Sequence, residues 1–363
     1  MATHLAAVSP AKGQPFEIRT RSTPKPGPDE LLIAVKSVAL NPADTIMRDQ
    51  GLFIPAYPTV IGFDVSGLVL EVGDNVPASF RPGITRVAAY AALVWKSCDP
   101  DYGPFQERCL VPWQHAVPLP GEDMSWNHAA TLPVAVQVPL SAWDAMGIPR
   151  MGEAPARINT EKKEALLIWG ASSSVGTMGV QTARLLREDR NSSFAAVYAT
   201  AGSANKSYVG SLGADRVFDY KDSRVVDAIV SAAKEDGLVI RHCFLAIGQL
   251  AACQAVLKTF LREDQGENTK IAKIASAPVV PPDAEVVEGV ETIFVMPSMV
   301  EGERLEQFRY WIGTWLRENL AKGGIRPSPQ PNVVGKGLAA LNSGLDRLRQ
   351  GVSCTKLVVE VAE

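Results

Sequence analysis

Between residues 165 and 274 short apolar runs alternate with segments whose apolar residues recur every three or four positions, and few folds accommodate that rhythm. Ala165–Trp169, Ala195–Thr200, Arg216–Phe218, Val239–Leu245 and Lys270–Ile274 read as strands; Val175–Arg187, Asn205–Leu212, Val225–Ala233 and Leu250–Phe260 read as helices. Strand, helix, strand repetition implies a parallel sheet with right-handed crossovers. Residues 14 to 125 have a different texture, with short Val, Ile and Leu runs broken by turns such as Lys25-Pro26-Gly27-Pro28, which predicts a β-rich unit. The end of the chain offers an amphipathic segment Glu303–Leu320, a helix near Gly337–Gln350 and a strand Lys356–Val361. This tail is too short to stand alone and is expected to complete the first unit. The expected division is 1–138 with 303–363 as one domain and 139–302 as the other.

Composition narrows the function. A chain of 363 residues is expected to form two cores, and clefts between domains favour small-molecule substrates. With 36 Lys and Arg against 39 Asp and Glu, the net charge of −3 gives no field for a nucleic-acid backbone. No apolar run approaches the roughly 20 residues of a membrane span, and Met1 to Pro10 lacks a signal pattern, so a cytoplasmic protein is expected. Four histidines and five scattered cysteines, without C-x-x-C or H-E-x-x-H, exclude a structural zinc knot and fit a reducing compartment. His242 and Cys243 are neighbours on an expected strand and point to opposite faces, so both read as structural, with Cys243 buried.

The run Ala165–Trp169 leads into Gly170-Ala171-Ser172-Ser173-Ser174-Val175-Gly176-Thr177-Met178-Gly179 and then a helix. A turn of small residues from strand to helix lets backbone N–H groups and the helix dipole face a pyrophosphate. The G-x-G-x-x-G pattern is only partly kept, and a plain turn fits the same residues; the binding reading assigns Ser172, Ser173, Ser174, Val175 and Gly176 to a dinucleotide. The second strand ends at Thr200-Ala201-Gly202 with no acidic residue to hold a ribose 2′-hydroxyl. Gly202, Ser203, Asn205, Lys206 and, downstream, Tyr220 suit a 2′-phosphate, which points to NADPH. A solvated helix start capped by Asn205 is the other reading.

A set of motifs then runs in one order over almost the whole chain: Asn41-Pro42-Ala43-Asp44, Gly62-Phe63-Asp64-Val65-Ser66-Gly67, Gly103-Pro104-Phe105-Gln106-Glu107, Ala129-Ala130-Thr131-Leu132-Pro133, the serine loop, Leu212-Gly213-Ala214, Leu345-Asp346-Arg347-Leu348, and Ser353 to Val358. Together they resemble the zinc-independent, quinone oxidoreductase-like branch of the medium-chain dehydrogenase/reductase superfamily, and most of all its fungal trans-acting enoyl reductases. The resemblance implies an α/β fold in which a GroES-like β-rich domain is interrupted by a Rossmann doubly wound parallel-sheet domain. Zinc-dependent members place a cysteine where Asn41 stands and a His-Glu pair where Phe63-Asp64 stands, so no catalytic metal is expected here.

Without a Lewis acid the chemistry suited to such a site is conjugate reduction of an enoyl thioester, enone or quinone, with charge building on the carbonyl oxygen. Asn41 is a candidate donor to that enolate, unless Asn41-Pro42 only forms a turn. Tyr90 is a candidate proton donor, unless it only packs. Ile46 and Val138 stand where the trans-acting enoyl reductases commonly carry lysine and threonine, which marks them as substrate-pocket positions of altered polarity. Proline suits a first helical turn, so Pro139 is expected near the start of the helix that follows. Two functions remain open: NADPH-dependent reduction in fungal polyketide metabolism, or a non-reductive protein that binds a ligand or steers its cyclisation. By resemblance a polyketide synthase carrier domain is a candidate partner, and the chain is expected as a monomer or homodimer paired through the edge near Glu291–Met296.

Overall fold

The computed structural model describes residues 2–153, 162–263 and 271–361. In chain order the elements are β1 (Thr3–Val8), β2 (Glu17–Ser22), β3 (Glu30–Ala39), α1 (Pro42–Gln50), β4 (Asp64–Val72), β5 (Arg86–Tyr90), β6 (Arg108–Pro112), β7 (Ala116–Pro118), α2 (Trp126–Ala130), α3 (Pro133–Met146), β8 (Glu164–Trp169), α4 (Ser174–Glu188), β9 (Phe194–Thr200), α5 (Lys206–Ser211), β10 (Arg216–Phe218), α6 (Val225–Glu235), β11 (Val239–Leu245), α7 (Leu250–Glu263), β12 (Ala272–Ser276), β13 (Val290–Phe294), α8 (Glu301–Phe308), α9 (Arg317–Ala321), β14 (Pro331–Lys336), α10 (Ala340–Arg349) and β15 (Lys356–Glu360). They separate into two compact units, residues 1–137 with 298–363, and residues 138–297. The second boundary falls five residues earlier than the sequence suggests. Ser298 already belongs to the cap of α8, its N–H donating to Gln307 Oε1 at 2.9 Å and its hydroxyl to Glu303 at 2.8 Å.

In the first unit the ten-residue β3 is the hub. It pairs antiparallel with β4, β6 and β15 in a sheet ordered β14-β15-β3-β4-β5-β7. Partners along both edges satisfy its backbone, and it is covered on both faces as well: seven of its residues, from Leu31 to Ala39, are buried. Behind this sheet two extended segments are pressed together: Phe105 N–H donates to Ile61 O at 3.1 Å, and a Cβ on Gly103 would lie 2.0 Å from Val60 O. Only glycine fits so close to a carbonyl.

In the second unit six parallel strands stand in the order β10-β9-β8-β11-β12-β13. Ala165 to Trp169 are buried without alternation, as a strand covered on both faces requires. Strand order reverses between β8 and β11, and the crevice at the carboxyl ends beside such a switch point is where open α/β sheets take ligands. Cys243 lies in this core, while His242 on the opposite face meets Glu164 at 3.2 Å.

Two local expectations need correction and one segment gains detail. Pro139 is inside α3 rather than at its start; the N1 place belongs to Pro133. The amphipathic segment Glu303–Leu320 resolves into α8, a π-helical stretch Arg309–Leu316 and α9, with Phe308, Trp311, Ile312, Trp315 and Leu316 buried. The strand expected at Lys270–Ile274 is Ala272–Ser276, with Lys270 outside the described residues. Among the described residues no helix is long and apolar enough to cross a membrane.

Gly103→Ala is expected to cost about 2 kcal/mol or more by forcing the Val60 carbonyl aside, read as a lower urea midpoint.

Candidate functional site

In the second unit the β8–α4 turn is built by its serines. Ser173 is the N-cap of α4: its hydroxyl donates to Gly170 O at 2.8 Å and accepts from Gly176 N–H at 3.1 Å. The N–H groups of Ser174 and Val175 make no hydrogen bond to another described residue, and the Ser174 hydroxyl is buried without a partner. Unpaired donors at the mouth of a 15-residue helix fit an anion. A Cβ on Gly176 would lie 2.3 Å from Gly170 O, so the glycine is required by the turn itself before any ligand approaches.

At the end of β9 the structure gathers Gly202, Ser203 and Tyr220. A Cβ on Gly202 would be 3.7 Å from the Tyr220 ring, and that ring is 46% exposed. The expected helix over Asn205–Leu212 is a 3₁₀ turn, Ser203–Asn205, followed by α5, with no side-chain cap from Asn205. Lys206 opens α5. Two neighbours were missed by the sequence reading. Lys221 lies 5.9 Å from the Tyr220 ring centroid, and neither Lys206 nor Lys221 forms an ion pair with another described residue. Asp219 also arrives here, because β10 pairs with β9 in parallel and Ala201 N–H donates to Phe218 O. This corrects the expectation of a strand end without a carboxylate. Asp219 accepts the N–H groups of Ser203 at 3.1 Å and Lys221 at 2.9 Å.

In the first unit Asn41, Asp44, Asp64 and Lys356 form a buried polar cluster. Asn41 Nδ2 donates to Asp64 Oδ2 at 3.0 Å and to Ala39 O at 3.2 Å, and its Oδ1 accepts from Lys356 Nζ at 2.6 Å. Both amide hydrogens are thus engaged within the chain. The expectation that Asn41 donates to an enolate does not fit this geometry, because the amide has no hydrogen left to offer. Asp64, fully buried, accepts from Val134 N–H at 2.8 Å and pairs with Lys356 at 3.1 Å. Burial raises its carboxyl above the ordinary range against the pull of Lys356 and these donors. Asp44 Oδ2 accepts Asn41 N–H at 2.7 Å, its Oδ1 is buried without a partner, and burial pushes its carboxyl up to about 7.

Tyr90 ends β5 opposite Asp64. Its ring is held by Phe63, Trp95, His115 and Phe308, with centroids 5.0 to 6.4 Å away. His115 stacks on Phe308 at 3.8 Å, and burial lowers it to about 3, so it stays neutral. The Tyr90 hydroxyl makes no hydrogen bond to another described residue. Burial, with Asp64 and Asp44 nearby, drives the phenol far above its ordinary value, so it keeps its proton. Ile46 on α1 and Val138 on α3 are each half-buried. Among the described residues no three His, Cys, Asp or Glu side chains are placed to share a metal ion.

The alcohol dehydrogenase GroES-like domain family matches residues 27–121. The chain is 39% identical to the trans-enoyl reductase tndF of Aspergillus flavipes over 98% of both chains. It is 41% identical to the trans-enoyl reductase tazE of Aspergillus terreus over 83% of this chain and 94% of that one. The chain belongs to the medium-chain dehydrogenase/reductase superfamily. Among solved structures, an alcohol dehydrogenase superfamily protein of Novosphingobium aromaticivorans matches with a TM-score of 0.75 at 21% identity, covering 99% of this chain and 100% of that one. The CurK enoyl reductase matches at 0.72 and 16%, covering 99% of each. These likenesses give the superfamily fold, a GroES-like unit interrupted by a Rossmann-type sheet.

Two outcomes test the site. Gly176→Val is expected to abolish nucleotide binding, read by equilibrium dialysis, since the turn cannot close over a larger residue. Asp44 lies higher in the folded chain than its ordinary 3.8, so its contribution to stability is full below that value and is lost as pH rises towards 7. Asp44→Asn keeps an oxygen for Asn41 N–H and is expected to flatten the fall of the unfolding midpoint between about pH 4 and 7.

Proposed function

We propose that the protein is an NADPH-dependent, zinc-independent reductase of an activated C=C bond in an enoyl thioester, enone or quinone of fungal polyketide metabolism. The observation that carries this reading is the near-full-length likeness to two trans-enoyl reductases, and the site chemistry agrees with it. The helix-mouth donors of Ser174 and Val175 suit a pyrophosphate. Ser203, Asn205, Lys206, Tyr220 and Lys221 would hold the 2′-phosphate, two of them as uncommitted cations. Asp219 turns its carboxylate to backbone N–H groups, which leaves those cations to the ligand.

When bound, the reduced nicotinamide supplies a hydride for the β-carbon of the conjugated system. Tyr90 holds the proton that completes the reduction: its phenol is neutral, its ring is fixed on several sides, and its hydroxyl has no competing partner. Hydrogen bonding to the developing oxyanion would stabilise the enolate; transfer of the phenol proton to the α-carbon would balance the added hydride, with water returning a proton to the phenolate. Asn41 acts as an anchor, with Lys356 and Asp64 occupying its polar atoms. That internal ammonium supports a mechanism without zinc. Half-buried Ile46 of the first unit favours an apolar acyl or aryl group. The carrier domain of a synthase is the partner this reading supplies, since a thioester substrate would arrive attached to one.

Incubation with NADPH and a panel of α,β-unsaturated thioesters, enones and quinones, followed by absorbance of the reduced nicotinamide, tests the reading. Consumption with at least one class is expected. NADPH bound but never consumed would favour the non-reductive, cyclisation-steering alternative. Lys206→Ala is expected to weaken NADPH about tenfold or more while leaving NADH nearly unchanged, and equal losses would move the 2′-phosphate site elsewhere.

A further inference from the structure

We propose that Lys356 is a positioning residue for Tyr90, acting through Asp64; this rests on the reading of Tyr90 as proton donor. Lys356 opens β15 and is only 4% exposed, yet it ends in an ammonium rather than an apolar group. Its Nζ reaches Asn41 Oδ1 at 2.6 Å and Asp64 Oδ2 at 3.1 Å. Burying two opposite charges gains little stability over an apolar pair of similar volume, whereas removing one of them is severe. What the pair contributes is a fixed place for the carboxylate.

That place is next to Tyr90. Asp64 is the first residue of β4 and stands directly opposite Tyr90, the last residue of β5. The preceding residue, Phe63, accepts Ala91 N–H at 2.7 Å and sets its ring edge-on to Tyr90 at 5.9 Å. Asp64, opposite Tyr90, and Phe63, against its ring, are consecutive residues, so both are tied to the carboxylate that Lys356 holds. The far side of the ring is closed by Phe308 and Trp95. Freedom of the phenol is thus governed at the Phe63-Asp64 end, where Lys356 is the only cation within salt-bridge distance of Asp64 among the described residues. Without it, Asp64 would carry an uncompensated charge beside the phenol, or take up a proton and release Asn41.

The test compares wild type with Lys356→Met, Lys356→Arg and the neutral pair Lys356→Met/Asp64→Asn, which keeps folding accessible by removing both charges. Each is assayed for turnover and for NADPH affinity, and is labelled with ¹³Cζ-tyrosine, the Tyr90 resonance being assigned by its loss in Tyr90→Phe. Lys356→Met and the neutral pair are expected to lower kcat about tenfold or more with NADPH affinity unchanged, and to displace or broaden the Tyr90 resonance alone. Lys356→Arg is expected to recover much of both. A folded variant lacking the cation that keeps wild-type kcat and an unmoved Tyr90 resonance overturns the proposal. If wild type reduces no acceptor, the functional reading fails, and the Tyr90 resonance still decides whether Lys356 positions that ring.

Discussion

The carboxylate of Asp64 joins three elements of the first unit and the opening turn of α3 at one buried point. Its own strand β4 begins there, α1 is tied to it by the N-cap residue Asn41, α3 by the first-turn N–H of Val134, and β15 by the ammonium of Lys356. None of these contacts has water to replace it, since Asp64 is wholly buried and Asn41 and Lys356 nearly so. In such a setting a missing partner leaves a stranded charge, so the four elements can come together only in the arrangement that satisfies all three donors. The hydrophobic sheet around β3 supplies the bulk of the burial; the carboxylate selects the register in which β3, β4 and β15 meet.

The second unit is held by a different constraint. Its strands β8 and β9 are buried at nearly every residue, so side-chain alternation alone would leave them free to slip in register. The turn after β8 prevents that. Ser173 caps α4 and returns its hydroxyl to Gly170, Gly170 N–H donates to Thr200 Oγ1 at 2.9 Å, and Ala171 N–H donates to Thr200 O at 2.8 Å, so β8, β9 and α4 are joined at their ligand-facing end. The donors left over, on Ser174 and Val175, are those an anion can use. Rigidity and vacant donor capacity are properties of the same turn.

This difference explains how much was legible in the sequence. Repetition of apolar runs is local information, and it located the five strands from β8 to β12 and the helices between them to within a few residues. The serine loop could be read because its cap and its glycine lie three residues apart. The polar cluster could not, because Lys356 meets Asn41 across 315 positions and nothing in the sequence around either announces the other. From sequence Asn41 therefore reads equally as a donor to the enolate or as a turn residue, whereas its amide is occupied within the chain. Asp219 was missed for a related reason: strand pairing, not sequence proximity, brings it beside Ser203. The π-helical turn at Arg309–Leu316 follows from the crowding of large apolar side chains against the core, and periodicity alone reads such a segment as an ordinary helix.

Occupation of Asn41 moves the chemical burden of the first unit. A reduction that adds hydride to one carbon must stabilise charge and deliver a proton elsewhere, and each task needs a hydrogen-bond donor that is not already bonded. Asn41 and Lys356 satisfy each other and Asp64, His115 is held neutral against Phe308 with one nitrogen facing the Tyr90 carbonyl, and Asp44 serves the backbone of the α1 N-cap. Tyr90 differs from these four, with a phenol that burial keeps protonated and a hydroxyl that no described residue claims; the Trp95 indole N–H beside it is likewise without a partner. The aromatic rings packed against it fix its carbon framework while its oxygen is left uncommitted. On the proposed reading of Tyr90, the charged cluster at Asp64 is then a way of holding a neutral donor still.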